Sequence, residues 1–352
     1  MSSNTNTIDG FLPSLPWHAR AVLSLLKNIQ VGQLQVISPE GEQLTFKGAH
    51  AGIEATIQIH DWEVCRACLK SGDIGFAESY IKGLCDSPDL LALLRLLLAN
   101  RQEIETIIYG NWWGRLGYRI KHWFNKNTKA GSKKNIHAHY DIGNAFYSLW
   151  LDPSMTYSSA CFDNNDTPLV EAQIAKYQKI IQSLTVAPGE KILEVGCGWG
   201  GLMEQACLNG INIDCLTISE EQAKYARERG GRIQAKDLGQ HQILLQDYRD
   251  HQEQYDGIAS IEMFEAVGES YWPSYFEMIK RCLKPGKKAC IQTIVIADDL
   301  FDKYRNSSDF IQQYVFPGGM LPSEEKFKEA AAKQGLITEA VYRFGQDYQK
   351  TL

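Results

Sequence analysis

The chain has 352 residues, 44% of them hydrophobic, and a formal charge of −6. That length and apolar content support large cores and two domains, and the negative balance argues against a nucleic-acid binder. No window approaches the roughly 18 uninterrupted apolar residues of a spanning helix, and the opening "MSSNTNTIDG" lacks a signal-peptide pattern, so a cytoplasmic protein is expected. The nine cysteines fit reduced thiols. The lone C-x-x-C of Cys65 and Cys68 lacks the second pair that zinc needs, and fits a helix face better.

In chain order, a helix is predicted around Trp17 to Lys27, followed by the period-two stretches "GQLQVIS" and "GIEATIQIH", split by the turn signal "PEGEQ". Helical patterns follow in "DWEVCRACLKSG" and "SPDLLALLRLLLAN", the second with Ser87 as its cap and Pro88 at its first position. Residues 1–110 therefore read as a small α+β domain. Residues 111–135, "NWWGRLGYRIKHWFNKNTKAGSKKN", hold seven Lys/Arg, no acid, and Trp112, Trp113, Tyr118, Trp123 and Phe124. Cations interleaved with large rings suit an anionic bilayer surface, where each Lys or Arg is worth about 1 kcal/mol. Single-stranded nucleic acid could use the same chemistry, and a solvated linker whose rings dock on one domain is the plainer reading.

From residue 136 on, apolar runs of strand length (190–195, 211–218, 241–246, 255–261, 287–296) alternate with helical segments such as 201–208, 220–229 and 271–282. The fold class expected is α/β, a Rossmann-like, mostly parallel sheet covered by helices on both faces. The stretch "GLITEAVYRFG" can supply a sixth strand, and nothing remains for a seventh. Ligands in such sheets bind at the carboxyl ends of the strands. Two glutamates, Glu262 and Glu265 in "SIEMFEAVG", fall at one such end.

"LEVGCGWGG" follows a strand and opens a helix, with Gly196, Gly198, Gly200 and Gly201, and satisfies G-x-G-x-x-G. A nicotinamide cofactor is disfavoured, because the next strand ends in the neutral "LTISEEQ", where Thr217, Ser219 and Gln222 offer no carboxylate for ribose hydroxyls. Glu194, two residues before the first glycine, suits a cationic amino group instead. The order of segments resembles a class I S-adenosylmethionine-dependent methyltransferase, with Tyr248 beside an adenine.

More specifically, "HYDIGNAFYSLWLDPSMTYSSACF", "ILEVGCGWGG", "LTISEEQ", "SIEMFEAVG" and "FIQQYVFPGGMLPS", in that order, resemble the cyclopropane-fatty-acyl-phospholipid synthase and mycolic acid cyclopropane synthase family. "GFAESYIKGLCDSPDL" is similar to the N-terminal, lipid-associated domain of its phospholipid-acting members. The resemblance implies a methylene unit passing from S-adenosylmethionine to the double bond of an acyl chain in a bilayer phospholipid, through a carbocation deprotonated by bound bicarbonate. It places Tyr157 and Ser158 over the cofactor, residues 217–222 on its adenosine, and Asp247, Tyr248 and Arg249 on the adenine side. Glu265 and Tyr348 would hold the bicarbonate, with Ser159 where many members have cysteine, and Gln292, with Ile294 beyond it, where they have histidine.

Glu262 reads as a partner of backbone or cofactor, not as catalytic. His137 and His139 read as structural, with no metal. Gln292 cannot carry charge, which puts ring closure in question and leaves open a methyl-branched or methylene product, or a weakened lipid- and cofactor-binding homologue. Family members continue for several dozen residues beyond Leu352, so a C-terminally short methyltransferase domain (136–352) is expected. The expected partner is an anionic phospholipid bilayer, bound peripherally, with no nucleic acid; a homodimer is compatible with this reading.

Overall fold

A computed structural model describes residues 10, 12–104, 143–233 and 238–351. The basic aromatic segment 111–135, with His137 and His139, lies outside the described residues. The chain divides into two compact units, one drawn from residues 1–124 with Asn306–Tyr314 and the other from residues 125–305 with 315–352.

In the first unit, β1 (Val31–Ile37), β2 (Gln43–Lys47), β3 (His50–Ile59) and β4 (Cys85–Asp86) form a sheet of order β2-β1-β3-β4. β1 alternates between buried and half-buried residues, the period-two pattern of a strand with one face on a core. Leu34 and Val36 meet Leu44 and Phe46 there, against the helices Trp17–Leu26 and Glu63–Ser71. β2 was not anticipated, because its polar residues read as an extension of the preceding turn.

Helix Leu90–Ala99 starts later than its sequence suggests. Asp89, not Ser87, caps it by accepting from the Ala92 N–H at 2.8 Å, while the Ser87 hydroxyl donates to the Thr56 carbonyl. At its other end the buried Asn100 amide accepts from the Gln30 and Val31 N–H groups and donates to the Val31 and Leu96 carbonyls. That satisfies all four of its hydrogen-bonding directions. Asn306–Tyr314 joins this unit through the Phe310 N–H, which donates to Asp73 at 3.0 Å, and the Tyr314 hydroxyl, which donates to Glu78.

In the second unit, β5 (Lys191–Val195), β6 (Asn212–Thr217), β7 (His241–Leu245), β8 (Tyr255–Ile261) and β9 (Leu283–Gln292) form an all-parallel sheet of order β7-β6-β5-β8-β9. Its inner strands are almost wholly buried, as expected of a sheet with helices on both faces. One core packs helix Leu169–Leu184 and helix Gly201–Leu208 against the sheet; the other gathers Phe264, Trp272, Tyr275, Phe276 and Ile279. The strand order reverses between β5 and β8, so their carboxyl ends flank a crevice.

Two sequence expectations need correcting. β9 begins at Leu283 and ends at Gln292, with its register against β8 slipping around Gly286, whose φ of +76° admits the extra residues. The stretch 335–345 forms no strand: Ile337 is 88% exposed, and Tyr342 lies under the Lys179 ammonium rather than in a ladder. Without a partner edge its alternating side chains have no face to bury. Among the described residues no helix is long and apolar enough to cross a membrane.

Candidate active site

β5 runs straight into the glycine loop. Gly196, Gly198 and Gly200 take φ of +83°, +51° and +81°, a left-handed path that L side chains resist. A Cβ at Gly196 would come within 2.7 Å of the Met263 side chain, whereas one at Gly198 would meet nothing within 4 Å. The loop therefore presents bare backbone to open space at Gly198. Beneath it the Trp199 indole donates to Asn144 at 2.7 Å and packs beside Tyr147, centroids 5.2 Å apart.

At the end of β6, the Thr217 hydroxyl donates to the Gln222 amide oxygen at 3.1 Å and accepts from the Ser219 N–H at 3.1 Å. Ser219 caps helix Glu220–Gly230 through the Gln222 N–H. The structure thus brings these three predicted residues into one buried polar knot. After β7, Asp247 grips the Arg249 guanidinium at 2.6 and 2.8 Å, and that cation lies over the Tyr248 and Tyr271 rings. Tyr248 packs edge-on to Tyr275, and burial pushes its hydroxyl up to about 12.

Glu194 is buried in β5 and receives the Cys215 thiol at 3.7 Å; burial raises it to about 8, against the pull of Lys176 and Arg229. Lys176 was missed by sequence reasoning. It is 1% exposed, burial lowers it to about 8, and its ammonium donates to the Ser158 hydroxyl at 2.6 Å. The signal was available: a lysine at i+4 from Ala172 and i−4 from Ile180 lies in the apolar stripe of its helix.

The two glutamates differ sharply. Glu262 follows β8 with φ of +47°, a conformation that costs a non-glycine residue roughly 1–3 kcal/mol. Its Oε1 accepts from the Ser159 N–H at 2.8 Å and from Gln292 Nε2 at 2.8 Å. The second proton of that Gln292 amide goes to the Ser159 carbonyl at 3.1 Å. With both partners acceptors, the amide orientation is fixed. Burial raises the Glu262 carboxyl, while Ser159, Lys176 and Gln292 pull it back down.

Glu265 sits one turn on, in the short helix Phe264–Ala266. Its Oε1 accepts from the Ile294 N–H and, at 3.0 Å, from the Thr293 hydroxyl, and its buried Oε2 has no partner. Burial and then the Glu262 charge raise it to about 8, which favours its protonated form.

Tyr348 belongs to helix Gly345–Thr351, and its hydroxyl is raised by burial and by the charges of Glu262, Tyr157 and Glu265. That helix is tied to the entry segment where the Ala160 N–H donates to Thr351 at 3.0 Å and the Phe162 N–H to Asp347 at 3.1 Å. Tyr157 stacks on Phe316, completing an aromatic wall over the carboxylates. Glu265, Tyr348, Gln292, Ser159, Ile294, Tyr157 and Ser158 are therefore gathered in one place. Three of the donors assigned to bicarbonate, however, are taken: Ser159 N–H and Gln292 by Glu262, and Ile294 N–H by Glu265, which leaves only Glu265 Oε2 and the Tyr348 hydroxyl of that set. The residues present do not fit that ion in the way the resemblance implies.

Residues 127–352 match the family model described as mycolic acid cyclopropane synthetase. The chain is 34% identical over 270 residues to the tuberculostearic acid methyltransferase UfaA1 of Mycobacterium tuberculosis, a match covering 74% of this chain and 62% of that protein. It is also 34% identical over 302 residues to the cyclopropane-fatty-acyl-phospholipid synthase of Escherichia coli K12, covering 85% of this chain and 75% of that one. Among solved structures, the mycolic acid cyclopropane synthase CmaA1 complexed with SAH and CTAB superposes with a TM-score of 0.57 at 32% identity, over 62% of this chain and 80% of that chain. The sheet is that of a class I methyltransferase, and the chain belongs to the mycolic acid cyclopropane synthetase family.

Proposed function

We propose that the protein uses S-adenosylmethionine to add a one-carbon unit across the double bond of an unsaturated acyl chain in membrane phospholipid, closing a cyclopropane ring. The observation that carries this reading is the pair of half-buried carboxylates that follow β8 and bond to the carboxyl end of β9, Glu262 to Gln292 and Glu265 to Thr293 and Ile294, beside Tyr157 and Tyr348. Alkylating an alkene leaves a carbocation, which survives only where water is excluded and a negative group faces it.

The fit to S-adenosylmethionine rests on the bare loop at Gly198, the Thr217–Ser219–Gln222 knot and Glu194 in β5. When bound, that sulfonium supplies an electrophilic methyl group. Gly198 leaves room for it, the knot offers hydrogen-bonding groups to the adenosine side, and Lys176 fixes Ser158 beside it. The proposal takes no step through bicarbonate, because three of the donors for that ion, Ser159 N–H, Gln292 and Ile294 N–H, are occupied by carboxylates. Residues 111–135 would bring the enzyme to an anionic bilayer from the aqueous side.

The test is incubation with labelled S-adenosylmethionine and vesicles of unsaturated phospholipid, followed by mass spectrometry and NMR of the acyl chains. A gain of one methylene unit with ring protons is expected; cofactor binding with no label in lipid rejects the reading. A branched or methylene chain of the same mass would favour the second reading, a lipid C-methyltransferase, which the similarity to UfaA1 supports.

A further inference from the structure

We propose that Glu262 is the base that closes the ring, a resident carboxylate held by two of the donors that a bicarbonate ion would otherwise use. The inference rests on the function proposed above and adds the residue that takes the proton. Three observations carry it. Glu262 Oε1 is fixed by the Ser159 N–H and the Gln292 amide, both at 2.8 Å. The left-handed backbone at Glu262, φ +47°, is a local cost that ordinary packing gives no reason to bear. The described residues place no hydrogen bond on Oε2, which leaves that oxygen to accept a proton.

Glu265 is less suited to the same work. Its Oε1 is bound by Ile294 and Thr293, and burial with the Glu262 charge raises its carboxyl to about 8, which favours the protonated form. Burial raises the Glu262 carboxyl, and the buried Lys176 ammonium, with the Ser159 N–H and Gln292, pulls it back toward the ionised form.

The step balances as follows. The alkene pair forms the first bond to the methyl carbon, the sulfur keeps the pair of the broken S–C bond, and the neighbouring alkene carbon is left cationic. A methyl C–H bond then breaks, its electron pair makes the second ring bond to the cationic carbon, and the proton passes to Glu262 Oε2. Release to solvent restores the carboxylate, and no oxidant or further reactant is needed.

Two variants test this. Glu262→Gln keeps the shape and removes the base; Glu262→Gly accepts the positive φ and opens the carboxylate's place. Each is first checked for folding by its thermal midpoint and for binding of S-adenosylhomocysteine. In carbonate-depleted buffer the wild type should form ring product at an undiminished rate, and ¹³C-bicarbonate NMR should show no bound ion. Glu262→Gln should lose ring formation by about 100-fold or more. Glu262→Gly should lose it similarly, bind bicarbonate, and recover activity as bicarbonate or formate is added. A wild type that binds bicarbonate and slows when it is removed overturns the proposal, as does a folded Glu262→Gln that closes rings normally. A wild type that leaves no label in lipid at any bicarbonate concentration fails the parent reading, and the base falls with it.

Discussion

Gln292 Nε2 joins Glu262 Oε1 at 2.8 Å and the Ser159 carbonyl at 3.1 Å, so one neutral amide ties the end of β9 to the residue after β8 and to the entry segment. A hydrogen bond to an ionised group is worth about 1.5–3 kcal/mol, which is about one to two pH units on a titration. Gln292→Leu removes a donor that favours the ionised form of Glu262 and should raise its pKa. The acid limb of the pH–rate profile should move upward by about one pH unit or more. An unmoved limb in a folded variant would show that Gln292 does not hold the charge.

Glu194 and Glu265 carry the opposite kind of pH dependence, in stability. Burial raises both from 4.5 to about 8, so the folded state binds more protons than the unfolded chain between those values. Their favourable contribution is complete below about pH 4.5 and is lost as pH rises through about 8. Glu265→Gln should therefore raise the thermal midpoint by a few degrees at pH 8.5 and change it little at pH 4.5. Equal effects at both pH values would contradict the shift.

Thr351 accepts the Ala160 N–H at 3.0 Å, and Asp347 the Phe162 N–H at 3.1 Å. Losing one acceptor leaves a partly buried donor unpaired, at about 1–3 kcal/mol. Thr351→Val should loosen helix Gly345–Thr351 and speed proteolytic cleavage at its start by about tenfold, with a smaller change in the global unfolding midpoint. Cleavage at the wild-type rate would mean that the bond does not hold the helix.

Gly198 combines φ +51° with empty space where a Cβ would stand. Gly198→Ala forces an L side chain into the left-handed region at about 1–2 kcal/mol and puts a methyl into the cofactor's space. Calorimetry should show at least about tenfold weaker binding of S-adenosylhomocysteine. Affinity within a factor of two of wild type would place the cofactor elsewhere.

The sheet was legible because parallel strands buried on both faces leave long apolar runs between helical repeats, and the glycine loop is punctuation that few other structures need. Glu265, Gln292 and Ser159 were found together because their segments carry family motifs. Glu262 was legible as a carboxylate but not as the centre of a hydrogen-bonded triad. Its partners lie 103 and 30 residues away, and nothing local encodes a positive φ at a glutamate. β2 and the true cap Asp89 were missed for a different reason: polar and turn-forming residues compete over short spans, and pairing decides between them. The supposed strand at 335–345 shows the converse, an alternating pattern with no partner edge.

The first unit is not one continuous run of chain, because Asn306–Tyr314 completes it through Phe310 on Asp73 and Tyr314 on Glu78. During synthesis, the strands and helices up to residue 104 must wait for a clasp made about 200 residues later, a delay of roughly 10 to 40 s at ordinary translation speed. Until then Asp73, half-buried in the finished unit, lacks its Phe310 partner, and the methyltransferase sheet, β5 through β9, has already emerged in full. The sheet of the second unit is therefore available to form before the last piece of the first unit has been made.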